Sequence, residues 1–267
     1  MFDIYPFPQL PEADPVEYLA NKYFLAMSAV RKAALKAGLP YWVFIQAYEK
    51  EGGGGRRFPS ESDLRMQVFC SLAYGFTGLA YFTYDAAFMR GLLEEDFSPS
   101  RLYQTVTDVN AEVLRLGVAL RFLRSTDVRY VAGHHDEAGR LVSNAVPLGL
   151  GVYHPRSRVA NLVTDITIND KGIGKDALVG FFCDDNGASY FMIVNLWHDK
   201  GACAEDRRLS MTLNFASSVT EVTRLSRETG ESEALPLQNS SLTVNLPGGT
   251  GDLFEVGDSR FPGLEER

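Results

Sequence analysis

Asp3, Glu49 and Asp85 stand at or just beyond the ends of short apolar runs, among Tyr5, Gln46, Tyr48, Tyr81 and Tyr84. A carboxylate in such a place can exchange a proton with a ligand or attack it as a nucleophile. Gln46 can do neither, because an amide only donates and accepts hydrogen bonds. Aromatic rings offer flat apolar faces on which a ligand can stack. We therefore take Asp3 and Glu49 as candidate catalytic residues. Tyr5, Gln46, Tyr48, Tyr84 and Asp85 are the candidate substrate-binding residues. Each has a plainer alternative. Asp3 and Asp85 could cap a turn, and Glu49 could be a solvated loop charge beside Lys50 and Glu51. Gln46 could be an internal amide with its partners satisfied, and the aromatic rings could be core packing.

Other chemistries find less support. Cys70, Cys183 and Cys203 are far apart, which suits two buried thiols and one loop thiol better than a metal site or disulfide framework. His134-His135-Asp136-Glu137 reads as a polar turn, because adjacent side chains of an extended segment point to opposite sides. No cofactor or metal is expected. The loop Gly52–Gly55 is followed by Arg56-Arg57-Phe58 rather than by Lys and Ser or Thr, so it reads as a mobile loop and not a phosphate cradle. Arg56, Arg57 and Glu61 beside it are expected at the surface. There is no Gly-x-Ser-x-Gly elbow for esterase chemistry. The formal net charge of −8 argues against nucleic acid held through its phosphates. No apolar run approaches the roughly 18 residues that span a bilayer, so no membrane partner is expected. Residues 1–15 lack the pattern of a secretory signal. That places the protein in the cytoplasm if Met1 is the true start, and in the periplasm or outside the cell if an upstream segment is missing.

The elements that must position the candidates alternate in the first half. Asp3–Phe7 reads as a short strand. Leu19, Tyr23, Met27, Val30 and Ala34 follow at spacings of four and three, one face of a helix that Gly38 and Pro40 would end. Tyr41–Ala47 is a near-continuous apolar run, as in a parallel strand covered on both faces. Ser60 and Asp63 form a capping pair before Leu64, Val68 and Leu72, with Gly75 as the stop. Gly78–Tyr84 is a third strand. Leu102, Val106, Val109, Val113, Leu116 and Leu120 mark a third helix, with Ser98 and Pro99 near its start. From Asp127 onward the helical period gives way to short β-type runs: Val128–Ala132, Leu178–Phe182, Tyr190–Asn195, Leu209–Phe215, Val219–Leu225, Leu242–Leu246 and Asp252–Val256. Asp184–Gly187 and Arg227–Glu231 read as hairpin turns between them. The expected class is α/β plus all-β. Three β/α units over residues 1–126 fit a doubly wound sheet or, as the polar and aromatic strand ends favour, a partial (β/α)₈ barrel, and 127–267 would be an antiparallel β-sandwich accessory domain.

A family resemblance rests on four segments. These are Asp3-x-Tyr5-Pro6, Pro40-Tyr41-Trp42-x-x-Ile45-Gln46-Ala47, Phe58-Pro59-Ser60-Glu61-x-x-Leu64-Arg65-x-Gln67, and Leu72-Ala73-Tyr74-Gly75-Phe76-x-Gly78-Leu79-x-Tyr81-Phe82-x-Tyr84. Together they resemble the carboxyl-terminal half of a bacterial (β/α)₈-barrel glycoside hydrolase of the retaining, β-galactosidase-like type. The expected sandwich, with Leu246-Pro247-Gly248-Gly249-Thr250-Gly251-x-Leu253-Phe254 toward its end, is similar to the β-domain that commonly follows such barrels. The resemblance implies a carbohydrate substrate and a pair of carboxyl groups across the scissile bond. It also places the acid/base after a fourth strand outside this chain and the nucleophile at the end of a seventh, where this sequence has Gln46. The implied role is barrel wall plus sugar-binding residues, inactive alone and completed by a missing barrel half or a second copy of the chain. The alternative is a non-catalytic carbohydrate-binding or assembly protein built on a half barrel.

Overall fold

The computed structural model describes residues 1–9, 22–52, 55–85, 89–133, 146–154, 162–257 and 260–264. The fold is mixed α/β, with three sheets and three α-helices among those residues. Strands β1 (Phe2–Asp3), β2 (Trp42–Gln46) and β3 (Gly78–Phe82) lie in that order in one parallel sheet. Helix α1 (Tyr23–Ala37) precedes β2, α2 (Glu61–Ala73) lies between β2 and β3, and α3 (Arg101–Leu120) follows β3. Leu19 lies outside the described residues. Gly38 ends α1 in the left-handed conformation, as its place after the last apolar position suggested.

Helix α2 is the keel of the molecule. Its start is fixed by a reciprocal capping box: the Asp63 N–H donates to Ser60 Oγ, and the Ser60 N–H donates to the Asp63 carboxylate. Eleven of its thirteen residues are buried, including Ser62, Asp63, Gln67 and Ser71. That follows from its place between β2 on one side and strands of a larger sheet on the other. A helix covered on every side needs no polar face.

The larger sheet has seven strands, in the order β11-β10-β13-β8-β7-β4-β5. Their ranges are β4 Arg124–Val131, β5 Gly151–Val152, β7 Ala177–Cys183, β8 Ser189–Asn195, β10 Val222–Leu225, β11 Ser232–Leu235 and β13 Gly251–Val256. All neighbours are antiparallel except β4 and β5. A three-stranded antiparallel sheet, β12-β9-β6, is built from Ser241–Leu246, Leu209–Phe215 and Val163–Ile168. Alternation along the central strands assigns their two faces. Leu178, Phe182, Tyr190, Met192, Val194 and Leu253 join the cluster around α2. Val179, Phe181, Phe191, Ile193 and Phe254 join a second cluster with Met211, Leu213 and Leu246 of the small sheet. Gly180 is required on β7, because a Cβ there would stand 2.0 Å from the Ala73 carbonyl at the end of α2.

Strand β4 runs through the boundary expected between residues 126 and 127. The cluster around α2 contains residues from both sides of it. That cluster therefore spans both expected segments, whereas the second is built from residues of 127–267 alone. Among the described residues, no helix is long and apolar enough to cross a membrane.

Candidate functional site

Parallel pairing puts the ends of β1, β2 and β3 side by side, and register assigns their faces. Phe2, Val43 and Leu79 share the face packed on the helices, as do Ile45 and Tyr81. Tyr81 there donates its hydroxyl to Asn110 Oδ1 on α3 at 2.8 Å. Tyr81 is thus a packing residue. Asp3, Phe44 and Ala80 share the opposite face, and Trp42 on that face is 44 % exposed.

At the strand ends, Phe82 closing β3 and Tyr5 and Tyr48 just past β1 and β2 form an aromatic corner. The Tyr5 ring meets Tyr48 edge-on, with centroids 5.1 Å apart, and stacks on Phe82 at 5.8 Å. Tyr48 and Phe82 meet edge-on at 5.5 Å. These are favourable geometries for quadrupolar rings. Burial raises the Tyr5 phenol well above its ordinary range, and the negative charge of Asp3 raises it further. Burial also raises Tyr48; Arg56 opposes that shift and Asp3 adds to it. Both phenols are thus neutral donors next to an exposed carboxylate. Tyr48 is only 5 % exposed and backs the corner, so the surface open to a hydroxyl-rich ligand is that of the half-buried Tyr5 and the exposed Asp3.

Glu49 is placed differently. Its N–H donates to the Arg90 carbonyl at 2.9 Å, and its Oε2 accepts from Arg90 Nη1 at 3.4 Å. Arg90 is also forked onto Glu94 and lies over the Phe58 ring, 4.4 Å from its centroid. Tyr84 is 58 % exposed beside Tyr103, which raises its phenol, and Asp85 is exposed. Asp3, Tyr5 and Tyr48 form one group, whereas Glu49 belongs to the Arg90–Glu94 loop.

Gln46 is corrected as a substrate-binding candidate. Its side chain is fully buried, and its Oε1 accepts from the Phe7 N–H at 3.1 Å. Its Nε2 donates to the carbonyls of Phe7 at 3.3 Å and Arg57 at 2.9 Å. Both amide protons are spent on backbone. Its own N–H and carbonyl are held by the Gln67 amide. Gln46 ties two loops to the end of β2.

Arg57 is likewise not a surface residue. It is 7 % exposed, forked onto the buried Asp63 carboxylate, and lies over the Phe7 ring at 4.5 Å. His198 Nε2 lies 3.9 Å from the same carboxylate. Sequence reasoning missed this cluster; its one local signal was the capping role of Asp63. Of the cysteines, Cys70 is buried, Cys183 partly so and Cys203 exposed. Among the described residues, no group of three or more His, Cys, Asp or Glu side chains is placed to hold a metal ion. His134–Glu137 and Gly53–Gly54 lie outside the described residues.

No protein-family model matches the chain, and no curated protein matches it. Several solved structures overlap it in part. One is a GH27 β-L-arabinopyranosidase from Geobacillus stearothermophilus, at 12 % identity and a TM-score of 0.39, covering 90 % of this chain and 42 % of that one. Another is a GH30 endoxylanase from Clostridium papyrosolvens, at 13 % identity and a TM-score of 0.33, covering 85 % and 44 %. A third is a protein described as an α-N-acetylgalactosaminidase from Bacillus halodurans, at 12 % identity and a TM-score of 0.35, covering 90 % and 43 %. The chain spans less than half the length of each of these. Overlap at this level assigns neither family nor activity.

Proposed function

We propose that this chain is a section of a glycoside hydrolase of the retaining, β-galactosidase-like type, acting on an oligo- or polysaccharide. Residues 1–126 supply the last three β/α units of its barrel, and 127–267 form a β-sandwich that braces them. The observation that carries this reading is the Asp3–Tyr5–Tyr48–Phe82 corner at the carboxyl ends of three parallel strands. Barrel enzymes place their sites at that end. Tyr5 stacks on the sugar, Tyr5 and Tyr48 donate to it, and Asp3 accepts from its hydroxyls. Glu49 is the second carboxylate of the chain's share of the site. The acid/base partner comes from a complementary barrel half, so the isolated chain binds sugar without cleaving it. Titration of the purified chain with oligosaccharides, alongside aryl-glycoside assays, tests this. Saturable binding without turnover is expected. Robust hydrolysis by the chain alone defeats the claim that it is incomplete, and absence of binding to any tested oligosaccharide defeats the sugar site.

A second reading, an assembly or carbohydrate-binding protein without catalysis, is favoured by the half-open face that carries Trp42, Phe44 and Ala80. In that reading a second copy covers the face. Light scattering with Trp42 fluorescence decides. A dimer that shields Trp42 from quencher supports self-assembly, whereas a monomer with Trp42 quenchable leaves the face for a separate barrel half.

A further inference from the structure

Far from the strand-end corner, α1 meets β4 and β5 across a cleft of about 400 Å³. Arg31 and Lys32 enter it from α1, Arg129 from β4, and Ser28 and the Tyr74 ring complete the nearer wall. Among the described residues, Asp127 is the carboxylate that lines it, and that group is already engaged. Its Oδ2 accepts from Arg129 Nε at 2.6 Å and its Oδ1 from the Val128 N–H at 2.9 Å. Three cations thus converge on one committed anion, in a chain whose formal net charge is −8.

Arg31 is the unusual member. Its Nε donates to Ser125 Oγ at 2.8 Å, which fixes the guanidinium against β4. Its Nη2 is shielded from solvent and has no hydrogen-bond partner among the described residues. A buried guanidinium nitrogen without an acceptor is costly, and such groups are nearly always paired. The backbone makes room for cations here as well. A Cβ at Gly151 would stand 2.3 Å from Arg129 Nη1, so glycine lets that guanidinium lie along the strand. The Ser28 hydroxyl donates to the Gly149 carbonyl at 2.8 Å and lies 3.2 Å from the Tyr74 hydroxyl, tying the neighbouring loop to the helix.

We propose that the cleft between α1 and β4–β5 binds a small molecule through a compact oxyanion, phosphoryl or carboxylate, with Arg31 as its principal ligand and Lys32 and Arg129 as flanking charges. A planar guanidinium suits two oxygens of such a group, and the cleft is large enough for the molecule that carries it. This site is separate from the aromatic corner and stands whether or not sugar binds there.

The test is calorimetric titration of the full chain with inorganic phosphate and, separately, with sodium glucuronate, at ionic strength held near about 0.15 M with sodium chloride. Saturable binding of either probe is expected, and the one that binds identifies the oxyanion. Arg31→Gln should weaken it at least about tenfold, the loss of a charge-assisted pair. Lys32→Gln, at an exposed position that folding does not need, should weaken it about threefold. Lys36→Gln, on the same helix but outside the cleft, should leave it within about twofold. Circular dichroism checks that each variant is folded. Failure of both probes to bind overturns the proposal. So does binding that Arg31→Gln and Lys32→Gln leave intact, or binding that Lys36→Gln weakens as much as they do.

Discussion

Two polar groupings adjoin the end of β2 and have opposite characters. Beneath the parallel sheet, Gln46, Gln67, Arg57 and Asp63 are buried, and they hold one another or the backbone. At its carboxyl end, Asp3 is exposed, Tyr5 and Tyr48 keep neutral hydroxyls near it, and Glu49 is held by one long contact to an arginine already forked elsewhere. A polar group whose capacity is used up inside the fold is scaffolding. A polar group with spare capacity at a strand end is available to a ligand. Residue type does not separate the two groupings, since each contains carboxylates or amides on neighbouring elements.

The sharpest way to break this contrast is at Asp63. Asp63→Ala removes the fork with Arg57 and one half of the capping box, and leaves the Arg57 charge buried. A cost of about 3–5 kcal/mol in urea unfolding is expected. A loss below about 1 kcal/mol would show that the buried pair is not what holds α2 in place. Gln46→Ala comes next. It strands the Phe7 N–H and the Arg57 carbonyl, while the Phe7 carbonyl keeps the Arg57 N–H at 3.2 Å, and about 2–3 kcal/mol is expected. In the same variant, oligosaccharide affinity at the remaining folded fraction should be unchanged. A selective loss of binding would return Gln46 to the site.

A third measurement probes the buried side by pH. Tyr41 donates its hydroxyl to the Tyr74 carbonyl at 2.8 Å, and burial pushes its phenol up to about 12. A raised folded-state value means that stability is intact below the unfolded value near pH 10 and is lost as pH rises from about 10 through about 12. Wild type should therefore lose stability on the order of 1 kcal/mol more than Tyr41→Phe between about pH 9 and pH 11. Equal losses would show that Tyr41 ionises as freely in the fold as outside it.

What the sequence showed, and what it hid, follows the same division between local and distant causes. The capping pair Ser60/Asp63 and the spacing of Leu102 to Leu120 are local signals, and both helices form where those residues lie. The central strands of the large sheet carry dense apolar runs, and they were legible too. Strand β6 was not, because a register irregularity between Val163 and Asp165 breaks its alternation. Strand β11, Ser-Glu-Ala-Leu at residues 232–235, is an edge strand with little apolar signature. Arg57 and Gln46 were misplaced for a different reason. Arg57 is buried beside a carboxylate that also faces His198, more than a hundred residues away, and Gln46 is saturated by loops at Phe7 and Arg57. Nothing in a window around either residue reports those neighbours. The aromatic corner was legible as composition, and only strand pairing could bring Tyr5 onto Tyr48.

The strand-end side of the contrast should respond through ligand and not through folding. Tyr5→Phe and Tyr48→Phe keep the rings and remove the donors. Each should cost oligosaccharide affinity about fivefold, the worth of one hydrogen bond, with unfolding midpoints little changed. Binding that survives both changes would leave stacking as the whole contribution of the corner.

Glu49→Gln is the smallest and most discriminating change. The carboxylate is 34 % exposed and its partner Arg90 is 40 % exposed, so water screens the pair. Arg90 keeps its fork onto Glu94 and its seat over Phe58 when Glu49 loses its charge. The Glu49 N–H to Arg90 carbonyl bond is backbone and stays in place. Stability should therefore change by less than about 0.5 kcal/mol. If it falls by several times that, Glu49 belongs with Asp63 and Gln46 as scaffolding. If stability holds while sugar affinity falls, Glu49 belongs with Asp3 at the ligand. Asp3→Asn run in parallel fixes the scale, since Asp3 is exposed and its charge is felt by both Tyr5 and Tyr48.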